Sequence, residues 1–395
     1  MENLRHKAEI KERLSPYAPY IEISLDNLLY NLTQIRSTLS KDVGVIAVIK
    51  DCAYGCGSAK AAYILEQHGK VEFFAVARPQ EAFALKKAGI NTAVLILGQA
   101  DNDELRRGAQ QNIVFSINDL RDIELFKSSG LNIRFHLHID TGMNRMGLLT
   151  SEIGELIDKL KSAPYLHLDG VYTHMACADE PNTSTVKEQF DKFKYCIDQL
   201  TQAGFSPPHI HYGNSAAFIR FGVQGCTLVR PGIALYGCKP DPFQNFDVSL
   251  KPVTSLVSRI VKMKKVPAAS PVSYGGNYIT EKETWIATIA LGYAHGLPRF
   301  LSGKGEVLIG GNRYRIAGNV TMDYIMVDAG PNPAISAGDE VVAMGSQGKE
   351  TITPDQIAIY GNTIGYEILC NLGTSIDRFY TLNGKVIHHD PGIIF

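Results

Sequence analysis

The chain has 395 residues, a formal charge of −1 and 45% hydrophobic residues. That length exceeds what one hydrophobic core usually supports, so two domains are expected, and the near-neutral charge argues against nucleic acid or an anionic membrane surface as partner. No apolar run nears the ~20 residues that span a bilayer, and the charged start Met1-Glu-Asn-Leu-Arg-His-Lys lacks the apolar stretch of a signal peptide, so a cytoplasmic protein is expected.

In chain order, a helix is predicted first, at Leu25–Leu39. Strands follow at Val45–Lys50, Phe73–Ala77, Thr92–Leu97, Ile113–Ser116, Ile133–Ile139, Leu168–Thr173, His209–Tyr212 and Leu228–Leu235. Helices between them are predicted at Ala59–Gln67, Pro79–Ala88, Ile117–Ser128, Ser151–Lys161 and Val186–Gln202, some opening on a cap such as Ser151 or Thr185. Eight strands alternating with helices over ~250 residues fit an α/β TIM-type (β/α)8 barrel, with an open doubly wound sheet as the alternative. After about Pro252 the texture changes. Leu256–Val266, Thr284–Leu291, Glu306–Ile309, Arg313–Ile316, Ile325–Val327 and Glu340–Met344 read as strands between Gly and Pro breaks, with one short helix near Pro354–Tyr360. The expected layout is a barrel over 17–252 and a mostly-β C-terminal domain over 253–395, with the extension 1–16 packing on the latter. Seven cysteines show no Cys-x-x-Cys pair and no partners at zinc spacing, so reduced thiols and no metal site are expected.

Catalytic groups of a barrel lie at the C-terminal ends of its strands. The first strand ends in Lys50, within Val45-Ile-Ala-Val-Ile-Lys50-Asp-Cys-Ala-Tyr54-Gly-Cys-Gly57. A lysine closing an apolar strand faces desolvation, which lowers its pKa and suits an imine-forming amine; a snorkelling surface lysine fits the strand equally. The fifth strand runs into His138-Ile-Asp140-Thr-Gly142-Met-Asn-Arg145, whose arginine offers a planar fork to a carboxylate or phenolate. The sixth ends in Tyr172-Thr-His174. The seventh leads through Asn214-Ser215 into a helix N-terminus, and the eighth carries Arg230-Pro-Gly232-Ile233. Loops after strands seven and eight are the usual phosphate site of barrels, where Ser215, the Gly232 and Ile233 amides and a helix N-terminus suit a dianion. One amine, one phosphate cradle and one arginine fork in one mouth match the needs of pyridoxal 5′-phosphate (PLP).

From about Ile21 to Tyr380 these motifs resemble the alanine racemase family of fold-type III PLP enzymes. Val272-Ser-Tyr274-Gly275, Leu291-Gly-Tyr293-Ala-His-Gly296 and Val320-Thr-Met322-Asp323 extend the likeness into the second domain. The resemblance implies that Lys50 carries PLP as an imine and is one catalytic base, with Tyr293 of a second subunit as the other. Tyr54, Asn214, Ser215, Gly232, Ile233 and Thr374 would hold the cofactor, mostly at its phosphate. Arg230 would face the pyridine nitrogen beside His174. Arg145 would contact the phenolic oxygen and the substrate carboxylate, Met322 would bind that carboxylate through its amide, and Tyr274 and Asp323 would stand near the entrance. Four positions depart from the family pattern: Cys56 for a histidine, His138 for a lysine that is often carbamylated, Asn319 for an arginine, and Thr374 for a phosphate-binding tyrosine. His138 cannot form a stable carbamate, so Arg145 needs another anchor.

The implied activity is interconversion of L- and D-alanine by two bases on opposite faces of Cα, supplying D-alanine for peptidoglycan, in a homodimer with shared sites. Both bases have reference pKa values near 10 and need lowering; the positive field of His174 and Arg230 is the expected cause at Tyr293. Three rivals remain: a broader racemase of small amino acids such as serine, a PLP decarboxylase of similar layout, and a non-catalytic PLP-binding protein. The decarboxylases place a cysteine of the β domain at the site, and the surroundings of Cys370 do not match; the carriers lack a β domain.

Overall fold

The computed structural model describes residues 2–244 and 246–392. The chain divides into two compact units, one of Asn31–Leu235 with Gln244–Ser249, the other of Met1–Tyr30, Tyr236–Phe243 and Leu250–Phe395.

The first unit is the (β/α)8 barrel. Its parallel strands are Gly44–Val48, Phe73–Val76, Ala93–Ile96, Ile113–Ile117, Ile133–Asp140, Leu166–Tyr172, His209–His211 and Leu228–Val229. The first seven pair in sequence order, and the eighth pairs with the first through Leu228 opposite Gly44 and Val229 opposite Val45. Between the seventh and eighth the ring closes on two backbone bonds, Thr227 N to Ile210 O (2.8 Å) and Arg230 N to Gly213 O (2.7 Å). The eighth strand is much shorter than the expected Leu228–Leu235. Pro231 offers no N–H to a ladder, and Ile233–Tyr236 turns as a 3-10 helix. A helix the sequence reading missed, Asn102–Gly108, starts on a capping box between Asp101 and Glu104.

Polar residues alternate along the fifth strand, at Arg134, His136, His138 and Asp140. Successive side chains of a strand point to opposite faces, so these four share one face and Ile133, Phe135, Leu137 and Ile139 the other. The two histidines are nonetheless buried, on a polar face inside the barrel.

The second unit is mostly β. Its main sheet runs in the order Asn312–Arg315, Glu306–Ile309, Glu340–Gln347, Thr254–Val266, Tyr20–Ser24, Asp377–Leu382 and Lys385–Asp390, with Thr284–Ile289 and Ile325–Asp328 branching from Thr254–Val266. The sequence reading opens the barrel at residue 17, whereas Tyr20–Ser24 lies in this sheet, antiparallel to Thr254–Val266 and parallel to Asp377–Leu382. The N-terminal helix Glu2–Arg13 belongs to the same unit, where Lys7 bonds Glu340 at 2.5 Å. The outermost residues of the expected layout, 1 and 393–395, lie outside the described residues. No helix among the described residues is long and apolar enough to cross a membrane.

Candidate active site

Lys50 stands at the C-terminal end of the first barrel strand. Its side chain is 38% exposed in the single chain, so it is less desolvated than the strand end suggests, and the Asp51 carboxylate is 3.9 Å from Nζ. The four residues that follow, Asp51, Cys52, Ala53 and Tyr54, all have φ between 51° and 56°. They form a left-handed helical turn, a conformation that costs an L-residue roughly 1–2 kcal/mol each. The turn ends on Gly55, and Tyr54 is buried.

Tyr54 reaches the loop after the eighth strand. A Cβ at Gly232 would stand 2.5 Å from the Tyr54 hydroxyl, so glycine is required for this close approach. Ser215 Oγ faces the same loop and accepts the Gly232 amide at 3.1 Å. The sequence reading left that amide open for phosphate; in the structure it binds Ser215. Asn214 caps the helix Ser215–Phe221 by accepting Ala217 N at 3.0 Å, and its amide donates to Met175 O at 3.0 Å.

Arg230 is buried behind this cradle. Its NH1 group donates to His211 Nδ1 at 2.7 Å and to His211 O at 2.9 Å. Its NH2 group donates to Thr173 O at 2.7 Å and to His174 Nδ1 at 3.3 Å. A guanidinium has five N–H groups; those four bonds leave Nε–H uncommitted. Burial pulls the Arg230 pKa down to about 10, so it stays a cation at neutral pH. Burial and then the Arg230 charge push His174 well below the ordinary histidine value. His174 is therefore neutral, which corrects the expectation that it adds to a positive field; Arg230, Arg145 and Lys50 are the positive charges acting on it.

His138 donates Nδ1–H to Asn118 Oδ1 at 2.7 Å, because the Asn118 amide nitrogen is turned to Leu97 O at 3.2 Å. Burial, then Arg230, lowers His138 to about 3. Its ring stacks on Tyr172 at 4.3 Å, and Tyr172 stacks on His211 at 4.9 Å. Arg145 is exposed on the loop after the fifth strand. Asp140 shapes that loop by accepting the amides of Gly142, Met143 and Asn144 at 2.9, 3.0 and 3.1 Å. Buried Gln189 ties it to the next loop, donating to Thr141 Oγ1 at 3.1 Å and His174 O at 3.0 Å. The sequence reading assigned no role to Asn118, Gln189 or His136. Only the histidine had a signal, the polar alternation along its strand.

Five predicted site residues, Tyr274, Tyr293, Met322, Asp323 and Thr374, lie in the other unit. There they share loops that bind one another. Tyr293 N donates to Thr321 O (3.0 Å) and Ala294 N to Met322 O (3.1 Å), an approach so close that a Cβ on Gly292 would meet both carbonyls at 2.3 Å. Asn319 Nδ2 donates to Tyr274 O at 2.7 Å. Thr374 follows Gly373, whose added Cβ would be 2.7 Å from Ala294 O. Tyr274, Tyr293 and Met322 are exposed in the single chain.

Residues 23–240 match the family model described as alanine racemase, N-terminal domain, and residues 253–380 match alanine racemase, C-terminal domain. An alanine racemase of Halothermothrix orenii is 36% identical over 91% of this chain and 96% of its own length. Alanine racemase 2 of Bacillus subtilis is 36% identical over 95% and 98%. Among solved structures, alanine racemase from Bacillus anthracis with bound L-Ala-P has a TM-score of 0.85 at 35% identity, covering 95% of this chain and 98% of that one. Alanine racemase of Clostridium difficile has a TM-score of 0.87 at 33% identity, over 96% and 100%.

Proposed function

The chain belongs to the alanine racemase family, a family of isomerases, and from that premise we propose that it interconverts L- and D-alanine with PLP held at Lys50 and with Lys50 and Tyr293 as its two bases. One observation carries the reading: a strand-end lysine, a hydroxyl cradle and an arginine with one free N–H occupy a single barrel mouth.

The residues present fit the cofactor. Tyr54 and Ser215 would donate to its phosphate, with the Ile233 amide beside them and Asn214 and Thr374 in support. Arg230 would turn its remaining N–H to the pyridine nitrogen, with His174 held against it. When bound, PLP draws into its ring the electron pair left at Cα by proton removal. Arg230 can only donate a hydrogen bond, so it keeps a facing ring nitrogen unprotonated and tempers that electron sink. This favours return of the proton over transamination.

Lys50 Nζ takes or returns the Cα proton on one face and Tyr293 Oη on the other, which is the minimum for inversion. Arg145 and the Met322 amide would fix the substrate carboxylate, and Tyr274 and Asp323 would line its approach. Tyr293 stands 43% exposed on a face of bonded loops. That exposure supports a homodimer in which each mostly-β unit completes the barrel of its partner. The product would serve peptidoglycan synthesis in the cytoplasm.

Deuterium uptake at Cα, with product chirality, tests this for L-alanine, L-serine and L-lysine in heavy water with added PLP. Exchange and D-product from alanine alone, abolished in Lys50→Ala, are expected. Equal turnover of serine would make it a broader racemase; PLP binding without any exchange would overturn the reading.

A further inference from the structure

Behind Arg230 lies a row of buried polar groups that the reading above does not use. Arg230 NH1 meets His211 Nδ1 at 2.7 Å, His211 Nε2 meets His136 Nδ1 at 2.8 Å, and His136 Nε2 faces Asp169 Oδ2 at 3.8 Å. Asp169 is in turn paired to Arg134 NH2 at 2.7 Å. Both histidines are fully buried. Arg134 also donates to Asn112 Oδ1 at 3.0 Å. Asn112 precedes the fourth strand, so the row runs from the mouth through the barrel interior to the N-terminal ends of the strands.

Arg230 sets the proton positions on the two histidine rings of this row. Arginine can only donate, so His211 Nδ1 is a bare acceptor and its proton sits on Nε2. That proton goes to His136 Nδ1, which places the His136 proton on Nε2; this buried nitrogen makes no hydrogen bond, and the Asp169 carboxylate 3.8 Å away acts on it through its charge. An ionised carboxylate can only accept. The Arg230 donor thus sets the arrangement from one end, and the Asp169 negative charge near His136 Nε2–H favours the same arrangement from the other. Burial lowers His136 to about 4 and His211 well below the ordinary value, so both rings are neutral. Burial raises Asp169, but His136 and Arg134 outweigh it and hold the carboxyl at about 2.

We propose that His136 and Asp169 are positioning residues that act through His211 to hold Arg230, and with it the orientation of its one uncommitted N–H. The proposal rests on the reading that this N–H faces the cofactor ring. Without an acceptor at His136, His211 Nε2–H is buried and unmatched. His211 then gains by moving its proton to Nδ1, where it opposes the Arg230 donor.

The test reads the relay without cofactor and then with it. Nitrogen-15 NMR of the ring nitrogens in the cofactor-free protein should show His211 and His136 only as Nε2–H forms. His136→Phe and Asp169→Leu should each populate a second His211 form, while Asp169→Asn, which keeps an acceptor oxygen, should not. PLP affinity, followed by absorbance, should weaken roughly tenfold in the first two, the scale of one buried donor left unmatched, and recover in Asp169→Asn. Thermal unfolding confirms that each variant folds. A His211 proton on Nδ1 in the unmodified protein overturns the proposal. So does an unshifted His211 with PLP affinity within about twofold in both disrupting variants. Arg230→Gln separates this from the parent reading. If His211 shifts but PLP binding responds only to Arg230→Gln, the proposal fails and the reading stands. If PLP binding ignores Arg230→Gln as well, the placement of Arg230 fails.

Discussion

A single methyl group suffices to probe the cradle. At Gly232 it would meet the Tyr54 hydroxyl at 2.5 Å, with the Val48 Cβ behind at 3.7 Å. Overpacking of this kind typically costs about 1–3 kcal/mol. Gly232→Ala should therefore weaken PLP binding about ten- to a hundredfold, measured by fluorescence titration of the cofactor-free protein; unchanged affinity would mean that Tyr54 is not part of the cradle. Lys50, Ser215 and Arg230 were legible in the sequence because each closes or follows an apolar strand. Asn118 and Gln189 were not. Their roles come from what the fold sets opposite them, a His138 ring and a His174 carbonyl, each distant in sequence. The charge of His174 was misjudged for a related reason: sequence shows a titratable ring but not its burial beside Arg230.

Seven of the eight barrel strands were readable as short β-branched runs, and the eighth was overextended through Pro231. The segment Tyr20–Ser24 has the same texture as a barrel strand, and only its partners place it in the other sheet. The fifth, sixth and seventh barrel strands also share a stack of His138, Tyr172 and His211 rings. The buried histidines of these strands give the barrel a definite response to acid. His138 and His136 stay neutral in the folded state down to about 3 and about 4, held there first by burial. In the unfolded chain they take up protons near pH 6.5. The unfolded state therefore binds more protons below pH 6.5, and stability falls as pH drops from 6.5 toward those folded values. Each ring contributes a slope of up to about 1.4 kcal/mol per pH unit across its own window. Urea midpoints of the cofactor-free protein should fall steeply between pH 6.5 and 4, and His138→Asn should flatten the slope by about one proton. A flat profile over that range would show the rings to be reachable by water.

At the scale of the whole molecule, the two proposed bases lie in different compact units. Lys50 and the cradle belong to the barrel, while Tyr293 and Met322 belong to the β unit. If each site draws on two copies of the chain, two inactive variants should repair each other. Lys50→Ala and Tyr293→Phe subunits, mixed equally and allowed to exchange, should regain on the order of a quarter of full activity, since half the pairs are mixed and each mixed twofold dimer keeps one intact site of two. No recovery after confirmed exchange would place both bases on one chain. The motif order along the chain suggested both halves, but sequence alone could not say that the loops bearing Tyr274, Tyr293 and Met322 are bonded into one surface.

The left-handed turn between Lys50 and Tyr54 makes ligand binding and folding of the mouth one equilibrium. Four L-residues held with φ above 50° represent roughly 4–8 kcal/mol that the surroundings must offset. One end of the turn hangs from the first strand and the other is wedged against Gly232. A molecule gripped by both Lys50 and Tyr54 adds its own binding free energy to the folded side of that balance. The cofactor would then be a structural member of the barrel as much as a reagent carried in it, and its loss would be felt first as a loosening of five residues of backbone.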